Sequence, residues 1–204
     1  MVTKSFLNRI DLAILALFEC ALLLVAYQAY AIGDYRFSYV FIAMFIAAVP
    51  VILEFVFRVT LPFGVKSLIG LSLFLHIGGG VMRWYWSPAF PLFDKMAHFV
   101  SGLTVGMIIF VFFIMLDAWG IRFRRYTVLL GIFLIMAIFG GLWKVSEISL
   151  DVINHTIFND GLSDLTGDFI CHTAGSVFAA LVAYIYMVRM PWDEGLAYLI
   201  RKVK

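Results

Sequence analysis

The sequence predicts an all-α integral membrane protein with about six transmembrane helices in one bundle. Three observations carry this. Hydrophobic residues make up 64% of the chain and charged residues 14%, against about half and a quarter in an ordinary soluble domain. Mean hydropathy is +1.01. The apolar residues also gather into six stretches near the 20 or so residues that a roughly 30 Å hydrocarbon core demands of a helix.

The first stretch, about 10–32, follows Lys4 and Arg9 in the manner of a signal peptide. It is too long for one and lacks a small-residue cleavage site, so it reads as a retained helix. The second covers about 38–59, and Glu54 and Arg58, four apart near its end, are expected to pair. The third, about 66–86, finishes in Trp84, Tyr85 and Trp86, an aromatic belt for a headgroup region, before the Ser87-Pro88-Ala89-Phe90-Pro91 turn. The fourth, about 95–117, begins after Asp94; the fifth, about 126–149, carries Lys144 and Glu147. The sixth, about 165–189, follows the longest connection, Asp151 to Asp164.

Residues 1–190 thus form a six-helix transmembrane domain, and 191–204 an amphipathic interfacial tail. Leu196, Leu199, Ile200 and Val203 share one helical face of that tail, with acids in its first turn and Arg201, Lys202 and Lys204 at its end. Its basic end suits the cytoplasmic leaflet. Loop charges orient the bundle in the same sense. With both termini cytoplasmic, the inner side carries Lys4, Arg9, Arg58 and Lys66, the Arg122, Arg124 and Arg125 group, and Arg189, Arg201, Lys202 and Lys204. That is eleven of the fifteen basic residues, as the positive-inside rule requires.

Several classes are excluded. Cys20 and Cys171 lie in separate spans without a CxxC pair. No basic stripe with interleaved aromatics suggests nucleic acid. No Gly-rich phosphate loop suggests a nucleotide cofactor. Asn154-His155-Thr156 matches a glycosylation sequon on the expected outer side.

The functional signal is a set of ionisable residues at helical spacing inside apolar segments. Asp94 and His98 are four apart, as are Glu147 and Asp151, and Asp164, Asp168 and His172 form one stripe. Carrying a charge to membrane depth costs about 2.5–3.5 kcal/mol on insertion scales, so such groups face a protein interior and mark sites. The loop charges put all three segments at the extracytoplasmic face. A rise of about 1.5 Å per residue sets His98, Glu147 and Asp168 at one level, with His172 and Lys144 about one turn deeper.

Five carboxylates here outnumber the cations, so they are expected to take up protons or bind a cation. His98, His172, Asp94, Glu147, Asp164 and Asp168 are the candidate metal ligands, a mixed set suited to Zn²⁺, Mn²⁺ or Fe²⁺, with Mg²⁺ preferring oxygen alone. Glu147, Asp168, His98 and Lys144 are the candidate catalytic groups; Arg83, Lys144 and Asp151 are candidates for holding substrate. Structural readings compete. Asp94 and Asp164 suit helix amino termini, Lys144 and Glu147 fit a plain ion pair, and His172 a helix-to-helix hydrogen bond. Glu19 and His76, mid-span in the first and third helices, are expected to pair or to floor the polar funnel. Gly102, Gly106, Gly140 and Gly141, like the run Gly78 to Gly80, suit close helix packing.

Read together, Asp94-Lys95-Met96-Ala97-His98-Phe99 resembles the DKxxHF helix start of VanZ-like membrane proteins, and Trp143-Lys144-Val145-Ser146-Glu147 is similar to the WExxE-type segment of YjdF-like proteins. Asp164-x3-Asp168-x6-Gly175 resembles the closing pattern of both. His172 stands where VanZ-like proteins usually have Asn, and Lys144 where YjdF-like proteins usually have Glu. The resemblance implies a small polytopic protein of the cell envelope and no particular reaction.

The leading expectation is a metal-assisted hydrolase or transferase acting on a lipid-linked or envelope substrate at the outer leaflet, with the lipid bilayer as partner and nucleic acid excluded. A proton- or cation-coupled transporter or ion-binding module is the alternative, and a structural subunit the third. A transporter requires a polar path through His76 and Glu19; a wide apolar seal below His172 counts against it.

Overall fold

The computed structural model describes residues 4–154, 161–191 and 194–200; the side chains of residues 147, 150, 151, 154 and 162 lie outside that description. The described residues are helical, without strands. Six helices make up the fold: α1 Lys4–Ala31, α2 Phe37–Phe57, α3 Val65–Leu73 with its continuation to Val81, α4 Phe93–Ala118, α5 Arg125–Asn154 and α6 Leu162–Arg189. Five of these, all but α3, are long and apolar enough to cross a membrane.

The third helix falls short for a local reason. A π-helical turn, Phe74–Gly78, interrupts it, and the helical piece Gly79–Val81 ends it. Arg83 then takes a left-handed backbone, φ 58°, and Trp84–Trp86 turn away as a 3-10 helix instead of extending the span. Gly79 permits the bend, because a Cβ there would strike the Phe93 ring and meet Tyr85 at 2.9 Å.

The chain divides into two compact units, residues 1–93 with 190–204, and residues 94–189. In the first, the buried face of α1 runs Asp11, Leu15, Leu22, Val25, Ala26 and Ala29, and that of α2 runs Val40, Ala43, Ala47 and Pro50. These are helical spacings of small and branched residues, which let the two backbones approach. Leu22, Val25, Ala29, Val40 and Val81 meet in a core with Phe37, Met44 and Phe74 against it. Pro50 sits inside α2, a position tolerated more readily in membrane helices than in soluble ones.

One expectation fails in this unit. Glu54 does not turn to Arg58: its carboxylate takes the Leu61 N–H at 2.6 Å and the Lys66 ammonium at 2.9 Å. Arg58 instead caps α2 in a left-handed conformation, its N–H donating to the Glu54 carbonyl, which redirects the chain toward Lys66. In the tail, Leu196–Ile200 is a 3-10 helix with Leu196 and Ile200 buried, and the Ile200 carbonyl accepts the Thr60 N–H at 3.0 Å. The remaining tail residues 192–193 and 201–204 lie outside the described residues, as do His155, Thr156 and Asp160.

In the second unit α6 buries one continuous stripe: Asp168, His172, Ser176, Ala179, Ala183 and Met187. Its first half is polar and its second apolar. Met107, Phe110 and Ile114 of α4 and Val128, Ile132 and Met136 of α5 are likewise buried. Contact between α4 and α6 is backbone-close. A Cβ on Gly102 would strike the His172 carbonyl, and one on Gly175 would lie 2.7 Å from the Leu103 nitrogen.

Candidate functional site

Three helices of the second unit deliver the ionisable residues to one place. α4 supplies Asp94, Lys95 and His98, α5 supplies Lys144, and α6 supplies Asp164, Asp168 and His172. Helical spacing of four stacks Asp94 over His98 and aligns the α6 residues. The glycine contact at Gly102 and Gly175 then draws the two stripes together.

Asp168 is the centre, with 1% of its surface exposed. Its Oδ1 lies 2.5 Å from Lys95 Nζ, and its Oδ2 lies 2.5 Å from Lys144 Nζ and 3.3 Å from His98 Nε2. Lys95 Nζ also reaches Asp164 Oδ1 at 2.5 Å and Asp94 Oδ2 at 2.8 Å, so one ammonium serves three carboxylates. Gly167 makes this reach available: a Cβ there would lie 3.0 Å from Lys95 Cε, across the path of the lysine stem. Asp94 Oδ1 completes the set at 3.3 Å from His98 Nε2.

The proton positions on His98 follow from its neighbours. A carboxylate only accepts, so Nε2, facing Asp94 and Asp168, carries hydrogen. His98 Nδ1 lies 3.0 Å from His172 Nε2. One proton must sit between those nitrogens. Either His98 is imidazolium and donates to His172, or His172 donates and His98 is neutral. His98, His172 and Lys144 are all buried.

Three described carboxylates face two ammonium groups, and a protonated His98 brings the cluster to neutrality. Lys144, which the sequence offered as a partner for Glu147, is turned to Asp168. Lys95 was the underweighted member. No sequence pattern gave it three carboxylates, and Gly167 on α6 is the small residue that leaves room for its stem. The side chains of Glu147 and Asp151 lie outside the described residues. Arg83 belongs to the first unit, where its charge helps hold the Asp34 carboxyl below the ordinary range.

A donor set for a metal survives within the cluster. One ligand atom each from Asp94, His98 and Asp168 lie within 4.8 Å of one another. His76 is committed elsewhere, its Nδ1 2.8 Å from the Tyr85 hydroxyl in the first unit. Glu19 has a buried Oε1 without a hydrogen-bond partner among the described residues.

Over residues 10–189 the chain matches the model of a family described as "Predicted membrane protein (DUF2238)", and it belongs to that family. No curated protein and no solved structure matches it.

Proposed function

We propose that this membrane protein is an ion-binding module whose Asp–Lys–His cluster takes up and releases a proton at one membrane face. The observation that carries the reading is the His98 Nδ1 to His172 Nε2 contact of 3.0 Å, with His98 Nε2 held against two carboxylates. That arrangement accepts or surrenders one proton without losing its hydrogen bonds: on release the hydrogen between the rings passes from His98 Nδ1 to His172 Nε2 and the proton leaves from His172 Nδ1, and on uptake both moves reverse. Taking a proton neutralises the described groups of the cluster; releasing it leaves them one net negative charge and tightens their hold on the Lys95 ammonium, the more exposed of the two lysines at 29%.

Exchange at one face fits the α6 stripe better than conduction across the bilayer. Beyond Ser176 the buried positions are Ala179, Ala183 and Met187, an apolar seal. The loop-charge asymmetry supports cytoplasmic termini and an extracytoplasmic cluster, and the resemblance to VanZ-like and YjdF-like proteins supports a role at the cell envelope.

A second reading, a metal-dependent hydrolase or transferase acting on a lipid-linked substrate, is favoured by the convergence of Asp94, His98 and Asp168 donor atoms within 4.8 Å. It would require Asp168 to give up an ammonium, since Lys95 and Lys144 each lie 2.5 Å from one of its oxygens. His98, Asp94 and Asp168 would then hold the ion, with His172 and Asp164 beside it and Lys144 facing the substrate.

Proteoliposomes with a trapped pH dye, together with potentiometric titration of the purified protein, test the proposal. It expects no sustained proton flux and one fewer proton taken up by His98→Gln/His172→Gln than by the unaltered protein. Identical titration curves would refute it. Stoichiometric bound metal that is lost in Asp168→Ala would replace it with the second reading.

A further inference from the structure

The connection between α4 and α5 carries an arginine group that the Asp–Lys–His cluster does not use. Arg122, Arg124 and Arg125 are all exposed, and none forms an ion pair with a carboxylate among the described residues. Arg124 Nη1 donates to the Tyr126 hydroxyl at 3.3 Å. The backbone that presents them is fixed. Gly120 takes a left-handed φ of 93°, its N–H donates to the Asp117 carbonyl and the Ile121 N–H to the Leu116 carbonyl, both at 3.0 Å, two bonds that close α4 and turn the chain. Phe123 then docks edge-on against Phe113, ring centroids 5.0 Å apart, and Gly131 makes room for the Phe113 ring, which a Cβ there would strike. Trp119 and Ile121 flank the arginines and are 68% and 51% exposed.

We infer that this loop is a binding site for the phosphate of an anionic phospholipid. Reach decides the occupant. With 26 residues, α4 is about 39 Å long, so it crosses a roughly 30 Å hydrocarbon core and ends among the headgroups. Residues 119–124 alone join it to α5, and six residues running out and back rise at most about 10 Å, one Debye length. The arginines therefore stay within the surface field of the lipids. Charge decides the kind of lipid. α5 opens on Arg125, just after Arg124, with no acid in its first turn, the reverse of what the helix dipole favours, so the guanidiniums stand without a counter-anion. A lipid phosphate supplies one, and a planar guanidinium takes two of its oxygens at once. In a choline headgroup the lipid's own cation answers the phosphate; an anionic headgroup leaves that charge to the arginines. Trp119 and Ile121 add apolar contact at the membrane interface, which a soluble acidic partner does not need.

The test is lipid binding to the purified full chain in micelles, counted by native mass spectrometry during titration with phosphatidylglycerol or phosphatidylcholine. Phosphatidylglycerol should bind saturably and about tenfold or more tightly than phosphatidylcholine. Each of Arg122→Gln, Arg124→Gln and Arg125→Gln should weaken its binding about fivefold, the equivalent of roughly 1 kcal/mol per arginine at a membrane surface. Phe123→Ala keeps every charge but releases the loop, and should weaken binding about threefold. Arg9→Gln, an exposed arginine of the other unit, should leave it unchanged. Equal affinity for the two lipids, displacement of the lipid by equimolar inorganic phosphate, unchanged binding in the glutamine variants or in Phe123→Ala, or an equal loss in Arg9→Gln would each overturn the inference.

Discussion

Replacing Lys144 by methionine isolates the most buried ion pair of the second unit. The Lys144 ammonium lies 2.5 Å from Asp168 Oδ2, and the two residues are 6% and 1% exposed. At an effective dielectric constant near 20, that separation corresponds to about 6–7 kcal/mol of attraction. Most of this offsets the desolvation of both ions, so the pair's net worth is small, but removing one partner strands the other charge at a cost of about 3–5 kcal/mol. Lys95 remains on Asp168 Oδ1 at 2.5 Å and retains part of the compensation. The expected loss for Lys144→Met is therefore about 2–4 kcal/mol, or roughly 5–15 °C in Tm for a chain of this size. Lys144→Met/Asp168→Asn should recover more than half of that loss, because no charge is stranded. Thermal unfolding in micelles, followed by tryptophan fluorescence, measures both. A single variant within about 0.5 kcal/mol of the parent, or a double variant equal to the sum of the single changes, would refute the placement of Lys144 on Asp168.

Three other outcomes follow from the same structure. Gly175→Leu and Gly102→Val should unfold or severely weaken the second unit, since a Cβ at either position meets backbone atoms of the facing helix; Gly141→Ala, with nothing within 4 Å, should be neutral or stabilising by up to about 1 kcal/mol, read by the same unfolding assay. Asp34, in the turn between α1 and α2, is held below the ordinary carboxylate range by Arg36, whose Nη2 lies 2.6 Å away. Its folded-state value is the lower one, so its contribution is present above about pH 4 and lost as pH falls, and Arg36→Gln should flatten that acid limb. Gly167→Val should displace Lys95 and raise its accessibility to an amine-reactive label, whereas an unchanged labelling rate would argue that the lysine never crosses that position.

Much of the fold was legible because bilayer length is a hard physical constraint, and five apolar stretches became long helices near the expected positions. The third was overread because hydropathy does not register backbone conformation: a left-handed Arg83 and a π-helical turn ended the helix while the sequence stayed apolar and aromatic. At the site, Asp94, His98, Asp164, Asp168 and His172 were legible from spacing alone, since one helical face is defined by intervals of four. The partner of Lys144 was not, because ion pairing across helices depends on where α5 stands against α6, and the neighbouring Glu147 offered a nearer choice in sequence. Asp11 and Lys66 were missed for a related reason. Each lies near the end of an apolar stretch, where a charge reads as interfacial, and only their mutual approach across 55 residues of chain shows that both are buried.

The central claim is that His98 and His172 share one proton. Nitrogen-15 NMR of histidine-labelled protein in micelles tests it most directly, by detecting coupling between the two ring nitrogens across the hydrogen bond. The account predicts a coupled pair, His98 Nδ1 with His172 Nε2, whose coupling vanishes in His172→Gln while the His76 signals are unchanged. Two uncoupled imidazoles that titrate independently would contradict it.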